Sequence, residues 1–186
     1  MGITDLCFLK PFASLRGLML SENAITDISP LMGLGQLMFL YLTDNQIADL
    51  SPLRNLRALS NLSIEGNPVS DLSALRDLSA LQSLNASQTS VSDLEPLVGL
   101  SCLKSLYVED TSLTAGQISL FKSRMQGTAV EENVQPVITA TPAAEIRFPN
   151  AKVENAVRTA CGKLNGNLSP EDAQAVTNLN LSAMGI

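Results

Sequence analysis

Nothing constrains this chain more than a step of 22 residues that recurs in several columns at once. Asn23, Asn45 and Asn67 are spaced by it, and Thr89 and Thr111 continue the series. The same step joins Ile25, Ile47, Val69, Val91 and Leu113. It joins Asp5, Asp27, Asp49, Asp71 and Asp93, and again Leu18, Leu40, Leu62, Leu84 and Leu106. A fixed period of this length makes each segment a unit that cannot bury its apolar side alone, so units stack and touch mainly their neighbours. The expected architecture is a solenoid. Function is then expected on a repeated surface rather than in one pocket.

Composition fits stacked layers of similar filling. Apolar residues make up 45% of the 186, Leu dominates them, and aromatics contribute only 4% with no Trp. This length suits one elongated domain, or a domain with a small subdomain. The net charge is −6 and no Lys/Arg cluster occurs, which argues against nucleic acid and against an anionic membrane surface as partners. No apolar run approaches the roughly 18 residues that a membrane helix needs. There is no His, and Cys7, Cys102 and Cys161 lie far apart. Cys/His zinc sites and Ser-His-Asp triads are therefore excluded, and each Cys reads as an unpaired small side chain. No cofactor is expected.

Within one unit, Leu40 and Leu42 alternate with Phe39, Tyr41 and Thr43. That is the period-two signature of a short strand with one buried face. Strands are expected near 17–20, 39–42, 61–64, 83–86 and 105–108, all parallel. An Asn just past each strand can bond turn groups that no ladder satisfies, and Thr89 and Thr111 should do this less well. Ser29-Pro30, Ser51-Pro52 and Ser73-Ala74 read as helix N-caps, with Pro at the first helical position where present.

The stretches Leu37 to Asn45 and Leu59 to Asn67 follow the pattern LxxLxLxxN. At this point the chain resembles the leucine-rich-repeat family. The continuation Asn45-Gln46-Ile47-Ala48-Asp49-Leu50-Ser51-Pro52-Leu53-Arg54-Asn55-Leu56 is similar to the internalin-like bacterial subclass. The resemblance covers about Ile3 to Leu120. It implies an α/β fold: a parallel β-sheet on the concave face, short 3-10 or helical turns on the convex face, and a small helical cap.

The five stacked Asp residues offer oxygen ligands that Ca²⁺ takes. No Asp-rich local loop accompanies them, so the expectation is no metal, with each Asp capping N–H groups of its own turn. The array should end near Leu113 to Met125. A helix over Gln117 to Gln126 would present Ile118, Leu120, Phe121 and Met125 to the last core layer. Residues 1–130 are thus expected as the repeat array with its C-terminal capping helix, and 131–145 as an extended linker with two X-Pro steps. Residues 146–186 then hold two helical patterns and a repeat strand, Val176 to Ser182. This segment is similar to the helical cap that precedes the first repeat in internalin-like proteins, but here it follows the repeats.

The closing Met184-Gly185-Ile186 equals the opening Met1-Gly2-Ile3, in the same repeat phase. A circular permutant, a window cut from tandem cap-plus-repeat units, and an accidental match all account for this. The first two require the strand in 177–182 to lie beside the one in 16–21. Met1 to Asp5 enters in mid-repeat, and no secretory leader is expected there.

The expected functional surface is the concave sheet, and its candidate partner-binding residues are Phe39, Tyr41, Thr43, Asn61, Ser63, Glu65, Asn85, Tyr107 and Glu109. Aromatic residues of this kind dominate interfaces, although strands favour Tyr and Phe for their own sake. Glu65 and Glu109 stand two coils apart, about 10 Å, with no acid/base partner. Without a His, nucleophile elbow or phosphate loop, no enzyme is expected. The resemblance implies a protein-binding module, secreted or at a bacterial cell surface. The alternative is a structural scaffold or spacer in a longer or permuted protein, and self-association through the terminal cap is a further expectation.

Overall fold

The computed structural model describes residues 2–131, 178–180 and 182 of the chain. Seven columns of apolar side chains point inward, and they set the fold. In the third coil they are Ile47, Leu50, Leu53, Leu56, Leu59, Leu62 and Ile64, all essentially inaccessible to solvent. The first six are three residues apart. A chain that turns every three residues stacks positions i and i+3 on one side. The backbone does this through successive i to i−3 bonds: Leu53 N–H to Leu50 O, Leu56 N–H to Leu53 O and Leu59 N–H to Leu56 O, each 2.9 Å. The last two columns are two apart, where the chain becomes a strand and alternates faces.

The strands are β1 (Gly17–Met19), β2 (Phe39–Tyr41), β3 (Asn61–Ser63), β4 (Ser83–Asn85) and β5 (Ser105–Tyr107), followed by β6 (Ala129–Glu131) and β7 (Asn178–Asn180). Their order in the sheet is β6-β5-β4-β3-β2-β1-β7, and every pairing is parallel. Leu18, Leu40, Leu62, Leu84 and Leu106 stand in register across it. The five repeat strands begin where the alternation places them. Each is one residue shorter than expected because the backbone turns away, although the parallel bonding continues, as at Leu42 N–H to Ser63 O, 2.9 Å.

Short 3-10 turns cover the other side, at Cys7–Leu9, Ser29–Gly33, Ser51–Leu53, Ser73–Leu75 and Glu95–Leu97. Here the expectation of Ser N-caps is corrected. Each Ser is already the first residue of its turn, and the cap positions hold Ile28, Leu50 and Leu72, whose side chains make no capping bond. The Asp two residues earlier does the work. Asp5, Asp27, Asp49, Asp71 and Asp93 each accept the N–H of residue i+2 at 2.8–2.9 Å. Asp27 and Asp49 also accept the Ser hydroxyl at their second oxygen.

The array closes on α1 (Ala115–Arg124), which starts two residues before the expected position. Thr114 and Gln117 form a reciprocal capping box that fixes this start. Phe121 and Met125 are the buried cover. Leu120 is not: at 59% exposure it faces outward, and Ile118 is only half-buried. Glu95 pairs with Arg124 through both terminal guanidinium nitrogens and ties α1 to the last 3-10 turn. β6 adds a strand beside β5 at the point where the sequence reads as the entry to a linker. β7 lies beside β1, Gly17 against Asn178. The linker and the two helical patterns of 146–177 lie outside the described residues. Among the described residues no helix is long and apolar enough to cross a membrane.

Candidate functional site

Two sets of side chains follow from this geometry, one that staples coils together and one that lies on the open face of the sheet. The staple is the Asn column. Asn45 Nδ2 donates to Leu42 O and Thr43 O of its own coil and to Leu20 O of the coil before, at 2.9–3.2 Å. Its Oδ1 accepts Ile25 N–H at 3.0 Å. Asn67 repeats this with Ile64 O, Glu65 O, Leu42 O and Ile47 N–H, and is only 2% exposed. Thr89 and Thr111 each donate one bond, to Ala86 O and Val108 O within their own coils.

A second column was not legible in the sequence. The residue before each Asn or Thr has a left-handed backbone: Glu22, Asp44, Gly66, Gln88 and Asp110, with φ of 49° to 67°. Glycine occupies only one of the five positions, so the chemical signal is weak, and the recurrence at the period of 22 is what marks it. At Gly66 a Cβ would come within 2.3 Å of Asp44 Oδ1, so the missing side chain also makes room for the preceding carboxylate.

The sheet face is organised in rows by the strand register. One row runs Gly17, Phe39, Asn61, Ser83, Ser105, and the next Met19, Tyr41, Ser63, Asn85, Tyr107. Phe39 is 39% exposed. Tyr41, Thr43, Asn61, Glu65, Tyr107 and Glu109 are half-buried. Ser63 and Asn85 are buried, which corrects their expected role as open contacts. They are short, and their neighbours reach over them. Thr43 Oγ1 and Ser63 Oγ share a hydrogen bond of 2.8 Å, and Asn85 Nδ2 donates to Glu65 Oε2 at 2.8 Å. Two tyrosines thus bound a polar floor that is two strands wide and already hydrogen-bonded. They stand three strand spacings apart, about 14 Å. Partial burial raises the Tyr41 phenol above its ordinary pKa.

On the opposite side, a hollow of about 330 Å³ lies between Asp49, Arg54, Asp71 and Arg76. Asp49 and Asp71 are committed there to their own turns, and hydrogen bonds from Ser51 and Ser73 hold both carboxyls below the usual range.

A family model for leucine-rich repeats, described as two copies of the repeat, matches residues 36–77. No curated protein matches the sequence. Among solved structures the chain is similar to an internalin, inlF, of Listeria monocytogenes, with 33% identity and a TM-score of 0.61 over 66% of this chain and 36% of that one. It is similar to internalin C2, inlC2, of the same organism, with 33% identity and a TM-score of 0.65 over 69% of this chain and 56% of that one. A leucine-rich-repeat protein of Leptospira interrogans shares the fold at 22% identity and a TM-score of 0.61, over 64% of this chain and 31% of that one. The chain therefore spans 31–56% of the length of these three proteins. Arrays of this kind generally bind proteins. With its inward leucine columns, its Asn ladder and these matches, the chain belongs to the leucine-rich-repeat family and is internalin-like in its repeats.

Proposed function

We propose that the chain is a protein-interaction module that binds its partner on the concave face of the sheet. One observation carries this reading: Tyr41 and Tyr107 stand in the same row, on either side of a floor whose polar groups already bond one another. Such a floor costs little to cover, because few polar groups there lose water without a partner. The tyrosines supply rigid amphipathic contact area. Phe39 extends this area, Asn61 and Thr43 offer polar contacts at the rim, and Glu65 and Glu109 add charge. Ser63 and Asn85 act as the floor. Similarity to internalins supports a secreted or surface-displayed bacterial setting. The test is retention of proteins on the immobilised chain beside its Tyr41→Ala/Tyr107→Ala double variant. Truncating two anchors should weaken a genuine partner by about 2 kcal/mol or more. Equal retention by both forms would sink the concave-face assignment.

The internal bonding of the floor also favours a second reading, a scaffold or spacer whose face is finished rather than waiting for a ligand. In either reading we infer that 146–186 forms the unit that closes the N-terminal edge of the 1–130 array, with 131–145 as the tether. The pairing of β7 with β1 supports this arrangement. Coil one would otherwise present a full apolar layer to water.

A further inference from the structure

Charge is distributed unevenly across the sheet face. Where the strands end, the chain carries Glu22, Asp44, Glu65, Glu109 and Asp110. Stretches 20–24, 42–46, 64–68, 86–90 and 108–112 contain no Lys or Arg. Where the strands begin, the charges are Arg16 and Lys104, and stretches 14–17, 36–39, 58–61, 80–83 and 102–105 contain no carboxylate. Glu22, Asp44 and Asp110 are exposed, and all three take the left-handed backbone that the turn imposes. They therefore occupy the same point of three coils and line one margin, with the uncharged Gly66 and Gln88 at that point in the two coils between. Apolar side chains sit beside this margin on the same face: Met19 and Tyr41 at the ends of β1 and β2 that lead to Glu22 and Asp44, with Phe39 at the start of β2.

Resting on the concave-face reading, we propose that the occupant of this face is a basic protein segment. Its Lys or Arg groups lie along the strand-end margin, and its apolar side chains sit on Phe39, Tyr41 and Tyr107. Charge complementarity is the argument. A row of like charges with no cation in its stretches repels itself, and a cationic partner relieves that repulsion as well as forming its own contacts. The opposite margin, with Arg16 and Lys104, then fixes the direction in which the partner lies, because a reversed approach sets cation against cation.

The test uses the full chain labelled with ¹⁵N and a defined probe, a short peptide of alternating arginine and tyrosine. Its control is the same peptide with glutamate for arginine. The basic peptide should shift the amides of 19–23, 41–45 and 107–111, and the acidic peptide should leave them unmoved. The Glu22→Gln/Asp44→Asn/Asp110→Asn variant keeps side chains that suit the turn, Asn above all, so its fold is expected to persist and its unliganded spectrum checks this. It should bind the basic peptide roughly tenfold more weakly, three exposed charge contacts being lost. Arg16→Gln/Lys104→Gln should bind as well as the parent or better. If both peptides shift the tyrosine rows equally, the concave-face reading survives and the basic-partner inference is overturned. If neither peptide binds, or the shifts map to the 3-10 turns, this inference falls while the Tyr41→Ala/Tyr107→Ala comparison still decides the concave face separately. Amide shifts in the same rows on diluting the chain alone would assign the face to a second copy and also overturn it.

Discussion

The coils that end in Asn and the coils that end in Thr follow the same path, but they are joined differently. Asn45 and Asn67 each bond two carbonyls of their own coil, one carbonyl of the coil before, and one N–H of the coil before. Thr89 and Thr111 donate only to carbonyls of their own coils, and Thr111 also accepts the nearby Leu113 N–H, so neither reaches the coil before. The N–H groups of Ile3, Ile25 and Ile47 find an Asn Oδ1 one coil on, whereas Val69 and Val91 face Thr and receive no such acceptor. One residue type therefore decides whether neighbouring coils are held by side chain as well as by strand pairing. The fold tolerates the loss, so in this array the Asn ladder adds to a geometry that the apolar columns already set.

If that is right, the core itself should not distinguish the halves, and the largest effect should be the same in both. Leu62→Ala and Leu84→Ala each remove a fully covered side chain with a strand on either side. Each should cost about 2–5 kcal/mol in urea unfolding. A value below about 1 kcal/mol at either site would mean that its core layer is not packed as the columns require.

The next effect should separate the halves. Asn67→Ala leaves Ile47 N–H and Ile64 O without the amide in a buried place, while Leu42 O keeps Asn45 Nδ2 and Glu65 O keeps Asp44 N–H, and should cost about 3 kcal/mol. Thr89→Ala removes one bond and should cost about 1 kcal/mol. Hydrogen exchange resolves the two locally, since Ile47 N–H should lose its protection only in the first variant. Equal costs would remove the distinction drawn between the coils.

These contrasts also show what can be read from residues alone. The Leu columns at fixed spacing lead directly to the parallel sheet and its register, because only one phase buries all of them. The weaker bonding of Thr89 and Thr111 follows from side-chain chemistry, one hydroxyl against an amide. Capping by Asp was legible, but that Ser begins the turn instead of sharing the cap was not. Both residues suit a cap, and a one-residue difference in where the turn begins decides between them. Leu120 misled because a short terminal helix has only one covered face, and sequence fixes its rotation poorly. β6 was obscured because Ala129-Val130-Glu131 stands outside the repeat phase, although Val130 packs against the core. Of the candidate site, the outward aromatics were legible. The burial of Ser63 and Asn85 was not, since it depends on the reach of Thr43 and Glu65 from neighbouring coils.

A smaller effect, of opposite sign, should come from restoring the missing amide. Thr89→Asn occupies the position that Asn67 fills one coil earlier. By that pattern its Oδ1 reaches Val69 N–H and its Nδ2 reaches Ile64 O. A gain of about 1 kcal/mol is expected, together with slower exchange at Val69. Destabilisation would show that the Thr coils are spaced differently from the Asn coils.

The smallest expected effect is acid sensitivity at the Asp turns, which lie on the side away from the ladder. Hydrogen bonds from the backbone and side chain of Cys7 and Ser51 lower the pKa of Asp5 and Asp49, and the Ser73 hydroxyl and N–H lower that of Asp71. A folded pKa below the unfolded one gives stability that is complete above the ordinary carboxylate range, near 3.9, and is lost as pH falls through that value toward the lower folded pKa. All three groups are exposed, so solvent screens the effect and the change in melting temperature should be slight. Asp49 and Asp71 follow the two Asn staples in their coils, so acid should loosen the better-held part of the array and narrow the difference between the halves. Exchange at the Ser51 and Ser73 amides should quicken between pH 5 and pH 3 beyond the intrinsic change. Asp49→Asn/Asp71→Asn, which can still accept the N–H but cannot titrate, should abolish that excess. An excess that persists in the variant would place the acid response elsewhere in the chain.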